Sequence, residues 1–437
     1  MASQIMIPAF SELTRVFARI GCLSFGGPAG QIALMHRELV EERKWIGEEQ
    51  YLHALNFCHL LPGPEAQQLA TWIGWRLHGV KGGLVAGLLF VIPGALVILT
   101  LSILYAYAAN LSWFAALFLG MKSAVLAIVV QALIRIGGRA LNTRFKQIMS
   151  VAAFVALFFF NLPFPLIVLG AGFIGIVTAK ILPEYLGIKA GNAAPVATAR
   201  PWGKTAQTIA LWLAIWVAPM IVVLLTVGQD HVLWKIGSFF SQLAIVTFGG
   251  AYAVLAYMAQ EAVQGFGWLS AGEMADGLGL AETTPGPLIM VTQFVGFLAA
   301  YRAPEPFTPL IAGLIGAGLT TWVTFAPCFL WIFTFAPWIE RLENAVWLKG
   351  GLSTLTAAVV GVIANLTIWF ALHLLFAQVS EQYAGAIRLY IPELDSFNPS
   401  AVLLSIMAAI LIFRLKWNVI KTLAVTSLTG LALGFIG

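Results

Sequence analysis

Long apolar runs separated by short polar breaks make up most of this chain. "GGLVAGLLFVIPGALVILTLSILYAYA" (82–108) and "WFAALFLGMKSAVLAIVVQALI" (113–134) are almost free of charge. Each is longer than the ~20 apolar residues a helix needs to cross a bilayer. Runs of this kind predict crossings over about 12–35, 50–76, 82–108, 113–134, 147–161, 164–181, 207–228, 235–259, 272–300, 308–335, 345–376, 398–414 and 417–436, thirteen in all. The longest polar runs, 36–50, 184–206 and 378–397, leave no room for a separate soluble domain. The expected class is an all-α polytopic membrane protein.

A second pattern lies over the first. "FGGPAGQIALMHRELVEERKWIGEEQYLHALNFCHLLPGP" (25–64) and "FGGAYAVLAYMAQEAVQGFGWLSAGEMADGLGLAETTPGP" (248–287) have equal length. Phe25, Gly26, Gly27, Glu38, Trp45, Pro62, Gly63 and Pro64 recur 223 residues later as Phe248, Gly249, Gly250, Glu261, Trp268, Pro285, Gly286 and Pro287. The match continues to Pro93 and Pro327, with the extra residues near "YRAPEPFTP" (301–309). Seven expected crossings separate the two starts, and seven is odd. The halves are therefore expected to be two inverted-topology repeats with broken helices, a common plan of secondary transporters. The first repeat is 1–183 and the second 232–437; between them 184–231 holds a linker and an unpaired crossing over 207–228.

Composition and charge support the membrane reading. Hydrophobic residues are 60% and charged residues 10% of 437, against about 25% charged in soluble domains. With the N-terminus in the cytoplasm, fifteen of the 24 Lys and Arg residues fall on the cytoplasmic side and six outside, as the positive-inside bias requires. The 36–50 loop is the main exception, and its five glutamates suit an amphipathic segment along the interface. The net charge of +5 is spread over inter-helix loops and does not suggest nucleic-acid binding. Cys22, Cys58 and Cys328 form no CxxC pair and read as buried small hydrophobes. No cleavable signal pattern is expected at the N-terminus.

The repeated motifs carry the candidate chemistry. Gly-Gly and Pro-Gly-Pro both interrupt helices. In hydrocarbon such a break is tolerated only where protein buries it or a cavity faces it. Each break also starts a half-helix whose free N–H groups and dipole suit an anion. Glycines that merely let helices pack, with Pro-Gly-Pro as a plain loop, are the simpler alternative. Duplication at fixed spacing favours a substrate site at Phe25, Gly26, Gly27, Pro62, Gly63, Pro64, Phe248, Gly249, Gly250, Pro285, Gly286 and Pro287. Lys122, near the middle of a crossing, is expected to add fixed positive charge to an anion pathway, because intramembrane charges are costly and usually functional. Arg15 suits snorkelling to the interface, while Arg19 is balanced between that role and the ligand. Glu65 and Glu282 flank the two Pro-Gly-Pro triplets and are candidates for proton coupling if buried, or for stabilising a helix end. HExxH, GxSxG and Walker-type motifs are absent, which argues against a protease, hydrolase or ATP-driven pump. His53, Cys58 and His59 lack a wider ligand set, so neither metal nor cofactor is expected.

In these motifs the chain resembles the chromate ion transporter family in its long two-domain form. "FGGPAGQIALMHRELVEERKWIGEEQYLHALNFCHLLPGPEAQQLA" is similar to the first-half signature of that family. "FGGAYAVLAYM" with "GWLSAGEMADGLGLAETTPGP" is similar to its second. The resemblance covers nearly the whole chain. It implies export of chromate, with sulfate as the related tetrahedral anion, across a bacterial inner membrane, and it admits a homodimer. An oxyanion importer, a passive anion channel and a non-transporting membrane enzyme or assembly factor stay open as alternatives.

Overall fold

The computed structural model describes residues 7–109, 111–187, 202–248, 251–339 and 345–436. Its helices, in chain order, are α1 (Phe10–Leu23), α2 (Gly27–His36), α3 (Glu48–Cys58), α4 (Glu65–Ala108), α5 (Ser112–Ala140), α6 (Arg144–Phe158), α7 (Phe164–Ile181) and α8 (Trp202–Thr226). There follow α9 (Val232–Val246), α10 (Ala251–Gln260), α11 (Ala271–Thr283), α12 (Val291–Arg302), α13 (Pro309–Phe335), α14 (Val346–Leu375), α15 (Pro399–Ala409) and α16 (Val419–Ile436). Among the described residues, α4, α5, α7, α8, α13 and α14 are long and apolar enough to cross a bilayer, and shorter apolar helices accompany them. The protein is a helical multi-pass membrane protein.

Four expected segments are broken at the repeated motifs. The 12–35 segment is α1 plus α2, and the 50–76 segment is α3 plus the start of α4. The 235–259 segment is α9 plus α10, and the 272–300 segment is α11 plus α12. α4 is itself two helices. Its backbone leaves helical geometry at His78 and Gly79, inside the connection expected between 76 and 82.

The chain gathers into two compact units of interleaved sequence. The first holds Met1–Ile103, Asn192–Ala251 and Thr284–Ala345; the second holds Leu104–Gly191, Tyr252–Thr283 and Val346–Gly437. Each unit thus draws on both sequence halves. In the first, α12 lies along α13, and α13 also packs on α8 and α9. Phe17, Phe90, Phe240 and Phe294 are among its fully buried side chains. In the second, α14 packs along α6 and α7, and α16 along α5. Small residues bring these backbones together: a Cβ on Gly351 would lie 2.9 Å from Ile176, and one on Gly120 2.7 Å from Ser427. Close approach of this kind is the usual basis of helix association in lipid.

Two features depart from the sequence reading. The polar run 378–397 contains an antiparallel hairpin, β1 (Val379–Ala384) and β2 (Ile387–Pro392). Its Arg388 is 1% exposed. The backbone N–H of Arg388 donates to Phe159 O at 2.6 Å, and the guanidinium donates to Leu157 O at 2.9 Å and Phe158 O at 3.3 Å. A cation capping the last carbonyls of α6 explains how an arginine is buried there. Cys58 and Cys328 are buried as expected, whereas Cys22 is exposed.

Candidate functional site

The two motif pairs fold alike and hold each other. α1 ends in a tight turn in which Phe25 N–H donates to Leu23 O at 2.9 Å; α9 ends in the same turn, with Phe248 N–H on Val246 O at 3.0 Å. Their central residues, Ser24 (φ −77°, ψ 68°) and Thr247 (φ −76°, ψ 87°), have the angles of an inverse γ-turn. Both hydroxyls donate back to their own helix at 2.6 Å, Ser24 to Ile20 O and Thr247 to Leu243 O. Both carbonyls accept crosswise from the opposite half. Gly286 N–H donates to Ser24 O at 2.8 Å, and Gly63 N–H donates to Thr247 O at 2.7 Å. All four residues belong to the first unit.

Glycine is required at the centre of each triplet. Gly63 and Gly286 have φ of 118° and 90°, angles other residues rarely adopt. A Cβ on Gly63 would also lie 2.8 Å from the Gln68 amide and 3.0 Å from Cys328 Sγ; one on Gly286 would lie 3.4 Å from Gly94 Cα. Gly94 follows Pro93 and Cys328 follows Pro327, so each triplet packs on the proline turn of the opposite half. The loops after the first breaks match as well. Lys44 and Gly267 both have positive φ, and Trp45 N–H and Trp268 N–H bond to Leu39 O and Ala262 O at 2.9 and 2.8 Å.

Side chains around the crossing are neutral and buried. Gln31 donates through Nε2 to Gly286 O at 2.5 Å and to Ser24 O at 3.4 Å, tying the first Gly-Gly break to the second triplet. Gln68 donates to Pro62 O at 2.6 Å, and Gln67 to Thr71 Oγ1 at 3.1 Å. The side-chain oxygens of all three glutamines are buried and have no hydrogen-bond partner. No side chain caps α2 at Gly26 or the turn that Pro287 opens at Leu288. Free helical N–H groups therefore start at two of the breaks, the arrangement that favours an anion. Phe25 and Phe248 are half-buried beside the breaks. Gly249 and Gly250 lie outside the described residues.

The expected charges are placed differently. Arg15 and Arg19 are exposed, and Arg19 lies 3.6 Å from Glu38. Glu38 is 1% exposed and is also bound by Arg43. Glu65 occupies the first turn of α4, where an acid complements the dipole. Glu282 is buried in the second unit and accepts from Tyr252 Oη at 2.9 Å. Lys122, also in the second unit, is not the solitary ammonium the sequence suggested. Its Nζ lies 3.1 Å from Oδ1 of Asp276, whose Oδ2 accepts from Tyr105 Oη at 2.7 Å. Sequence reasoning missed Asp276, Tyr105, Ser24, Thr247 and the glutamines. Two signals were available: a lone aspartate in the apolar 272–300 run, and a small hydroxyl residue before Phe-Gly-Gly in both halves.

Apolar helices broken partway and tied together at the breaks are the construction of a solute-carrying membrane protein. The model of the family described as "Chromate transporter" matches residues 11–176 and 234–435. The two matched stretches start at residues 11 and 234, separated by 223, which is also the spacing of the motifs. A chromate transport protein of Pseudomonas aeruginosa is 33% identical over 368 residues, covering 82% of this chain and 80% of that protein. A probable chromate transport protein of Synechococcus elongatus is 28% identical over 365 residues, 83% and 85% of the two chains. A chromate transport protein of Cupriavidus metallidurans is 26% identical over 361 residues, 82% of each chain. No solved structure matches. The chain belongs to the chromate transporter family.

Proposed function

We propose that this protein is a secondary transporter that carries chromate out of a bacterial cell across the inner membrane. Each of its sequence halves, 1–183 and 232–437, forms one repeat of inverted topology, with 184–231 as linker and unpaired crossing. The observation that carries the reading is the crosswise pair of backbone bonds, Gly286 to Ser24 and Gly63 to Thr247. It gives a buried reason for breaking four apolar helices, and it leaves uncapped helix starts at Gly27 and Leu288 for a tetrahedral oxyanion. The choice of chromate follows the relatives named for it. Lys122 adds positive charge to the pathway. Arg19, Glu65 and Glu282 are secondary candidates for charge coupling, and Glu282 is the one of these that is buried. A homodimer would leave the reading unchanged, because both crosswise bonds lie within one chain.

Export suits the membrane potential. Moving one charge is worth about 2.3 kcal/mol per 100 mV, so a dianion leaving an inside-negative cell gains roughly 4.6 kcal/mol per 100 mV. Sulfate has the same shape and charge, and its uptake would need coupling. Purified protein in liposomes, given chromate, sulfate and molybdate at fixed potential and pH, tests the function. Saturable chromate flux towards the positive side is expected. Uptake of sulfate against the potential would make the protein an importer, and flux far above carrier rates would make it a channel. Cysteines placed in 36–50 and in 261–270 should be labelled from opposite sides; labelling of both from one side would contradict the inversion.

A further inference from the structure

We propose that Asp276 is a proton-carrying group that couples the movement of the anion through Lys122. Its carboxylate and the transported oxyanion take turns as counter-ion to that one ammonium. The proposal rests on the reading of the protein as an oxyanion carrier.

Three elements of the second unit meet here. α11 supplies Asp276, α5 supplies Lys122, and the end of α4 supplies Tyr105. Asp276 is buried, and the Lys122 side chain is 20% exposed. The two carboxylate oxygens are not equivalent. Oδ2 is fixed by the Tyr105 hydroxyl at 2.7 Å. Oδ1 is buried and lies 3.1 Å from the ammonium. It is the oxygen that faces Lys122, and a proton placed on it would release the ammonium from its counter-charge. Besides Lys122 and Tyr105, the ionisable group acting on Asp276 is Glu273, on α11 itself. Arg135 and Arg139 of α5, Lys349 and His373 of α14, Lys421 of α16 and Glu261 of the preceding turn lie on elements packed against α11.

Charge balance gives the coupling. With Asp276 ionised, the pair is neutral, and a dianion placed beside Lys122 would bring two uncompensated negative charges into a poorly polarisable site. With a proton on Oδ1 the ammonium is free, and the same dianion leaves only one. Binding at Lys122 therefore favours the protonated carboxyl. The proton comes from water on the loading side and returns to water on the release side, so no bond of the oxyanion changes. One proton travels with each dianion, and one net negative charge crosses instead of two. A glutamine or serine at 276 could hold Lys122 in place but could not alternate in this way.

The test is the charge moved per chromate in proteoliposomes, taken from reversal potentials at several pH gradients. The parent should move one net charge and respond to the pH gradient. Asp276→Asn should move two and ignore it, and Asp276→Glu should behave as the parent. An unchanged charge ratio and pH response in Asp276→Asn would overturn the proposal. A parent that carries no chromate would instead overturn the functional reading. Should Asp276→Asn not fold, Tyr105→Phe decides. It keeps the pair but removes a hydrogen bond to the ionised carboxylate, so the midpoint of the pH–transport curve should move to higher pH. A lower folded yield with an unmoved midpoint would show a structural pair only, and would overturn the proposal.

Discussion

Among the described residues, 24–64 and 247–287 follow a similar backbone course and differ in side chains. Both open with an inverse γ-turn, both put a glycine of positive φ inside Pro-Gly-Pro, and each donates a backbone N–H to the other. Where the first has Gln31 and Lys44, the second has Val254 and Gly267; beyond the triplets, Glu65 and Gln68 correspond to Leu288 and Val291. Features present in both stretches are those the breaks require. Features present in one are specialisations: Gln31 straps the crossing from one side only, since a valine cannot donate. The backbone thus sets up the crossing, and polarity is added to it unevenly.

The sharpest way to break the comparison is to block both triplets. Gly63→Val and Gly286→Val each force a β-branched residue into a left-handed angle, which costs about 1–2 kcal/mol for the backbone alone. Gly63→Val also drives atoms into Gln68 and Cys328. Chromate flux should fall more than about tenfold in both variants. A large loss in one and none in the other would show that the halves are not equivalent.

The next effect contrasts the neutral crossing of the first unit with the charged pair of the second. Lys122→Met strands the buried Asp276, and removing one partner of a buried pair typically costs about 3–5 kcal/mol; the partial exposure of Lys122 puts the loss at the lower end. Thermal unfolding of the detergent-solubilised protein should show a clear drop. Lys122→Met/Asp276→Asn should recover most of it. Stability equal to the parent in the single variant would mean that the pair holds nothing together. A solitary lysine would instead leave the single variant unchanged or more stable.

Gln31→Val copies the second half onto the first. Gly286 O then loses a buried donor, a deficit of about 1–3 kcal/mol. Flux should fall a few-fold, less than in either glycine variant. An effect as large as theirs would make the strap, and not the backbone, the essential part. The smallest effect belongs to Arg19→Gln. Arg19 is 57% exposed and Glu38 keeps Arg43, so flux should change by less than about twofold. A loss like that of Gly63→Val would return Arg19 to the anion site.

Much of the fold was legible because its signals are local. Apolar runs of sufficient length gave the helices, and Gly-Gly and Pro-Gly-Pro marked where they break, at the 24–26 and 59–64 interruptions. Even the turn at His78–Gly79 fell where "LHGVKGG" interrupts the apolar pattern. Partnership was not legible. Nothing in the spacing of Lys122 and Asp276, 154 residues apart, announces an ion pair. Arg388 looked like a solvated loop charge until the carbonyl end of α6 supplied its partners. The crosswise bonds are intermediate. Their donors and acceptors sit in recognisable motifs, but which motif binds which is decided by packing.

Chromium can be located by its anomalous scattering, so a map of the protein crystallised with chromate tests the central claim most directly. The account predicts a well-occupied site in the first unit, against the helix starts at Gly27 and Leu288 beside the Ser24–Gly286 bond, with any second site at Lys122. A well-occupied site elsewhere, such as the polar recess of the second unit lined by Gln260, Gln264, Asn365, Trp369, Arg388 and Tyr390, with the crossing empty, would contradict it.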